Sequence, residues 1–196
     1  PTVSQPVPEP HPVTADEDEA EVLRYFGATE EPAPKPEKGP ELTAKTIHIR
    51  EDETGYSYQN LFGPYLRDAK KIYVTDPYVR LEYQLRNFIA FASILETGAG
   101  QVELKLITSA EDAYQEKIQE QKFKEISASL AQHGIEFTFE FDPVIHDRSI
   151  KADNGWCIYP GRGLDFYQKP DSRYELSEID QTKRKCRETD IIFQEA

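Results

Sequence analysis

From Thr43 onward the sequence predicts an α/β domain with a largely parallel central sheet flanked by helices. Two observations predict it. Strand and helix signals alternate from Lys45 to Phe141, and such alternation gives parallel strands joined by crossover helices. The apolar residues also change period, from two in short β-rich runs to three and four between them, which suits a sheet covered by helices on both faces.

The elements follow in order. Lys45–Arg50 alternates as Thr-Ile-His-Ile and reads as a strand. Tyr56–Arg67 reads as a helix, with Tyr58, Leu61, Phe62, Tyr65 and Leu66 on one face. Lys71–Thr75 is a short buried strand that stops at Asp76-Pro77. Leu81, Leu85, Phe88, Ala92 and Leu95 then recur at helical spacing up to Gly98, and Val102–Thr108 is a further strand. Ser109 with Asp112 opens a long polar helix carried by Ile118, Phe123, Ile126 and Leu130, and His133-Gly134 closes it. Ile135–Phe141 alternates as a strand, and beyond Ile145 strand and loop signals replace helix signals. Ligands of open parallel sheets bind outside the carboxyl ends of the strands. That places Asp76, Thr108, Ser109 and the loop after Phe141 near any site.

Residues 1–42 have a different character. Nine of the fourteen prolines lie in Pro1–Pro40, and proline this dense removes backbone donors and holds extended geometry, so this stretch reads as an acidic linker. Within it Glu19–Gly27 is a short helix candidate whose Val22, Leu23, Tyr25 and Phe26 suit either a transient turn or a docking motif. The formal charge is −13, which argues against a surface that coats nucleic acid or membrane throughout. Half of that charge is in the linker, so the folded part retains room for a local basic pocket. With Pro1 first and no Met, the chain reads as a fragment of a longer protein. No apolar run reaches the roughly 18 residues a membrane span needs. Cys157 and Cys186 fit no metal spacing, so no metal or cofactor is expected and a reducing cytoplasm is the default.

Chemistry concentrates in His146-Asp-Arg148-Ser-Ile-Lys151-Ala-Asp153-Asn154-Gly155. In extended backbone His146 and Arg148 share one face. An imidazole beside a guanidinium is what phosphate handling needs, since one attacks or shuttles a proton and the other neutralises oxygen charge. The bland alternative is a satisfied polar cluster.

The spacing His146-x-Arg148-x4-Asp153 resembles the phospholipase D signature His-x-Lys-x4-Asp, with Arg for Lys. The wider chain resembles the phospholipase-D-like C-terminal domains of MIT-domain proteins. The matching stretches include Thr54–Tyr58, Asp76–Arg80, Gln84–Phe88, Ile145–Arg148, Asn154–Trp156, Gly161–Asp165, Lys169–Arg173 and Cys186–Thr189. The resemblance covers about Thr43–Phe193. It implies a phospholipase-D-like fold, homodimerisation, and binding of anionic phospholipid headgroups in preference to hydrolysis, with nucleic acid a weaker expectation. Related bacterial domains suggest a parent of the Lon-type ATP-dependent protease kind. The location implied is cytoplasmic and peripheral at a membrane.

Departures from the catalytic pattern set the functional expectation. There is one half-site where active members use two, Arg148 replaces Lys, and neither Asn154-Gly155 nor Ser172 supplies the downstream phosphate-binding element. His146 and Asp153 are the catalytic candidates. His146, Arg148, Lys151 and Arg162 are the expected phosphate ligands, with Asp76, Arg80 and Asn154 in support. Lys183, Arg184, Lys185 and Arg187 form a basic patch or a solvated face. Gly161-Arg-Gly163 suits a phosphate cradle or a turn, and Trp156, Tyr159, Phe166 and Tyr167 read as core or interface more than as a base-stacking platform. The competing functions are a homodimeric phosphodiesterase using His146 from each subunit, and a protein-interaction appendage.

Overall fold

The computed structural model describes residues 42–96, 100–172 and 174–196. The linker, its candidate helix at 19–27 and Gly98 lie outside those residues. Among the described residues there are seven strands: β1 Lys45–Ile49, β2 Lys71–Thr75, β3 Val102–Thr108, β4 Ile135–Phe141, β5 Ser149–Ala152, β6 Trp156–Pro160 and β7 Thr189–Glu195. Four α-helices accompany them there, α1 Tyr58–Leu61, α2 Gly63–Leu66, α3 Glu82–Ser93 and α4 Ala113–Ala131, with two short 3-10 turns at Leu176–Glu178 and Gln181–Lys183.

The sheet order is β1-β7-β6-β5-β2-β3-β4. Only the β2–β3 and β3–β4 pairs are parallel. The other four, β1–β7, β7–β6, β6–β5 and β5–β2, are antiparallel. The expectation of a largely parallel sheet is therefore wrong, and the sheet is mixed and mostly antiparallel. The physical reason lies after Phe141, where no helix intervenes to carry a parallel crossover. β5 returns along the free side of β2, and the turn at Asp153–Gly155 reverses the chain directly into β6, with Gly155 at φ +92°.

The helices do not cover both faces either. Phe62 and Tyr65 pack on Phe193, Tyr65 on Trp156, and Phe88 and Phe123 on Phe137. These contacts join the helices to one face, where Ile72, Leu104, Ile150, Ile158 and Ile191 are buried. Residues of the alternate parity, among them Lys71, Tyr73, Glu103, Glu136, Lys151 and Tyr159, are exposed on the other. Strands that alternate apolar and polar need only one covered face.

Local chemistry explains the element ends. Ser57 caps α1 through the Asn60 N–H, and Pro64 at the start of α2 lacks the donor that would fuse the two short helices. Asp112 caps α4 by accepting from the N–H groups of Tyr114 and Gln115, while Ser109 is buried and serves Arg80 instead.

Candidate functional site

A cavity of about 530 Å³ opens where β2, β6 and the lead-ins to β5 and β7 converge. It lies past the carboxyl end of β2 and is lined by Asp76; Thr108, Ser109 and the loop directly after Phe141 do not line it. Arg148, Arg162 and Arg187 line it, together with Asp76, Asp165 and Glu188.

Each arginine is anchored from behind. Arg148 donates from Nη1 to the Gly161 carbonyl at 2.9 Å and its guanidinium sits 4.6 Å over the Tyr78 ring. Its Nε lies 3.7 Å from Asp76, an ion pair longer than a hydrogen bond. Arg162 donates from Nε to the Glu188 carbonyl at 2.9 Å. Arg187 pairs with Asp165 at 3.7 Å. Among the described residues the remaining nitrogens of these forks meet no protein acceptor at hydrogen-bond distance. Guanidinium stays charged across the biological range, so the three arginines offer oriented donors beside the carboxyl groups of Asp76, Asp165 and Glu188.

Asp76 is 4% exposed. Burial pushes its carboxyl above the usual carboxylate range, opposed by the Tyr78 N–H, by Arg148 and by the Leu164 N–H. Leu164 belongs to the turn after β6, and a Cβ on Gly163 in that turn would lie 2.0 Å from Asp76 Oδ2. The turn is thus pressed directly onto the Asp76–Arg148 pair. Gly163 also sits at φ +63°, where glycine is favoured.

Other expected site residues go elsewhere. His146 is exposed in the loop before β5 and does not line the cavity. Asp153 accepts from the Lys70 N–H at 2.8 Å, beyond the far end of β5 from Arg148. Four residues of extended chain lie between the two and separate them by roughly 15 Å, so Asp153 does not orient His146 or Arg148 within one chain. Asn154 braces the chain between α2 and β2, donating to the carbonyls of Tyr65 and Arg67. Lys151 is exposed on the open sheet face. Arg80 does not pair with Asp76; it bonds Pro77 O, Ser109 and Glu111.

The basic run divides. Lys183 is held by Asp180 at 2.6 Å, a hydrogen bond that draws the Asp180 carboxyl down to about 2. Arg184 stacks over Tyr167 and reaches Asn87, and Lys185 is exposed. Only Arg187 joins the cavity. Trp156, Phe166 and Tyr167 are buried in the core, whereas Tyr159 is exposed on the open sheet face.

Sequence reasoning missed Tyr78, Gln84, Asn87, Asp165 and Glu188 as lining residues. All five lie inside stretches that carry the family resemblance, Asp76–Arg80, Gln84–Phe88, Gly161–Asp165 and Cys186–Thr189, and that signal could have found them. Among the described residues no cluster of three or more His, Cys, Asp or Glu is arranged to hold a metal. No described helix is long and apolar enough to cross a membrane.

Comparison with known proteins gives the following. The family described as the phospholipase D-like domain at the C-terminus of MIT matches residues 55–194. MIT domain-containing protein 1 of Mus musculus is 38% identical over 149 residues, which cover 75% of this chain and 60% of that protein. The chain therefore spans about 60% of the length of that relative. Among solved structures, phosphatidylserine synthase of Haemophilus influenzae Rd KW20 aligns with TM-score 0.41 and 10% identity over 78% of this chain and 34% of that one. The archaeal chromatin protein TrmBL2 aligns with TM-score 0.36 and 10% identity over 91% and 53%. Neither of these two likenesses carries weight for function.

Proposed function

The chain belongs to the family of phospholipase D-like domains at the C-terminus of MIT proteins, and from that premise we propose that it is a binding module for a phosphate-bearing anion and not a phosphodiesterase. The observation that carries the reading is the convergence of Arg148, Arg162 and Arg187 on one cavity, each anchored at one end and free at the other. Anchored forks lose little freedom when they take an oxyanion, which is what preorganised recognition requires. Hydrolysis needs more. A nucleophile and a proton donor must both reach the phosphorus and its leaving oxygen, and His146 stands outside the cavity while Asp153 caps a distant backbone.

An anionic phospholipid headgroup is one source of such a ligand, and self-association belongs to the same reading. The expected link to a Lon-type protease has no residue of this chain behind it and forms no part of the proposal.

The test is titration with sulfate and with anionic vesicles. Arg162→Ala removes an exposed fork that makes no buried ion pair, so it is expected to weaken binding at least tenfold without lowering Tm. His146→Ala is expected to leave binding unchanged. Unchanged binding in Arg162→Ala overturns the proposal, as does cleavage of a phosphodiester that His146→Ala abolishes. Sedimentation equilibrium reports whether the chain self-associates.

A further inference from the structure

β4 ends the sheet: it pairs with β3 on one side and, among the described residues, with no strand on the other. Alternate residues of a strand aim their backbone groups to opposite sides. The Gly134 carbonyl takes the Val102 N–H, and the Asp142 N–H donates to the Thr108 carbonyl. The even-numbered residues of β4 therefore face β3, and Ile135, Phe137, Phe139 and Phe141 face outward. The Phe137 carbonyl is taken by the Ser127 hydroxyl of α4 at 3.0 Å. The N–H and C=O groups of Phe139 and Phe141 have no protein partner among the described residues.

The side chains along this edge differ between the two sheet faces. On the helix face Phe137 is buried, whereas Phe139 and Phe141, with ring centroids 5.0 and 6.0 Å from that of Phe123, are only partly covered. On the open face stand Glu136 and Glu140. Ser127 marks the stripe of α4 that borders the edge, and Glu120 and Glu116 precede it by about two and three turns on that stripe. Four carboxylates thus border the edge, and two lysines, Lys105 on Glu140 and Lys124 on Glu120, pair with two of them. Glu136 takes only the neutral Gln101 amide at 3.0 Å.

We infer that the outer edge of β4, from Phe137 to Phe141, takes up an extended segment of a partner protein as a further strand, and that this segment alternates apolar with basic residues. Backbone hydrogen bonds to Phe139 and Phe141 hold such a strand, and its side chains select it. Those on the helix face cover Phe139 and Phe141, so they are apolar. Those on the open face lie beside Glu136 and Glu140, so they are Lys or Arg. A second copy of β4 fits badly, because antiparallel pairing sets Glu136 against a glutamate of the same strand, and like charges across strands repel. The carboxylates thus deter self-pairing of an apolar edge and at the same time choose a cationic partner. The edge is separate from the arginine-lined cavity, since none of these residues lines it.

The test uses the full 196-residue chain and a fluorescent peptide, acetyl-Lys-Val-Lys-Val-Lys-Val-Lys-amide. Anisotropy is expected to show it binding at least tenfold tighter than its counterpart with Glu for Lys. Combining Glu136→Lys with Glu140→Lys is expected to reverse that preference. Hydrogen exchange is expected to show the Phe139 and Phe141 amides protected at least tenfold by the peptide, which also reports that the domain is folded. Two further peptides carry N-methyl groups on every Val or on every Lys. One of them is expected to lose at least tenfold in affinity and the other to bind like the parent; loss with Val assigns antiparallel addition and loss with Lys parallel addition. Absence of binding, equal binding of the two methylated peptides, or unchanged exchange at Phe139 and Phe141 overturns the inference. A dimer in sedimentation velocity that the peptide dissociates assigns the edge to a second copy and overturns it as well.

Discussion

Replacing Gly163 with alanine tests whether the turn after β6 is built against the Asp76–Arg148 pair. Two costs apply. At φ +63° an L-residue is strained, by about 1–2 kcal/mol. The added Cβ would also lie 2.0 Å from Asp76 Oδ2 and 2.9 Å from Arg148 Cδ, so the carboxylate must move. Asp76 is buried and bonded to the Tyr78 N–H, and displacing it costs about 1–3 kcal/mol. The sum is about 3 kcal/mol, a Tm fall of roughly 6–12 °C for a domain of this size. Gly155 supplies the control. It too has positive φ, but a Cβ there meets nothing within 4 Å, so Gly155→Ala carries the strain alone, about 1–2 kcal/mol. Urea and thermal unfolding followed by Trp156 fluorescence, the only tryptophan, give the comparison. Sulfate affinity gives a second readout: a tenfold loss in Gly163→Ala and none in Gly155→Ala. Equal destabilisation and unchanged affinity in both variants would refute the account of the turn.

Tyr58→Phe removes the hydroxyl that donates to the Leu164 carbonyl at 2.5 Å in the buried core; chemical denaturation is expected to show a loss of about 1–3 kcal/mol. The raised pKa of Asp76 gives a pH dependence of the opposite sign to an ordinary salt-bridged acid. Because burial disfavours its charge in the folded state, that cost is full above the folded pKa and is relieved as pH falls toward the unfolded value. Sulfate keeps its charge over this range, so its affinity is expected to rise as pH drops through the folded Asp76 pKa, and Asp76→Asn to flatten that part of the profile. Arg148→Ala removes the cation beside the buried Asp76 carboxyl and the bond to the Gly161 carbonyl, and equilibrium unfolding is expected to show a loss of about 1–3 kcal/mol, beyond that of Arg162→Ala.

The elements were legible in the sequence where period and caps agreed. β3, β4 and α4 stand within a few residues of their expected places, because alternating strands and an Asp cap are local signals. Strand direction was not legible, since it depends on which side of β2 the chain returns to after Phe141, a non-local choice. The grouping of candidate site residues was only partly legible. Of the residues the sequence singled out, Arg148, Arg162 and Asp76 line one cavity, whereas His146, Asp153 and Lys151 do not. Linear spacing is not spatial grouping. A four-residue strand between Arg148 and Asp153 turns adjacency in sequence into separation in space. Arg187 reads as part of a basic run, yet it lies only two residues before β7 and its guanidinium turns to Asp165.

The corrected sheet explains where the cavity is. β2 has a parallel neighbour on one side and an antiparallel neighbour on the other. The carboxyl end of β2 therefore sits beside the amino end of β5, with Thr75 opposite Ser149. In an all-parallel sheet that position would be another strand's carboxyl end. Here it is where the chain enters β5 carrying Arg148, while the exit from β6 brings Arg162 and the entry to β7 brings Arg187. Three cations from three segments meet because strands of opposite sense bring entry and exit loops to one edge. A largely parallel arrangement would have put the lead-ins on the far side of the sheet from Asp76, and the Arg148–Asp76 contact could not form. The mostly antiparallel topology is thus the condition for the arginine-lined cavity, and the contact at 3.7 Å between residues 72 positions apart is its signature.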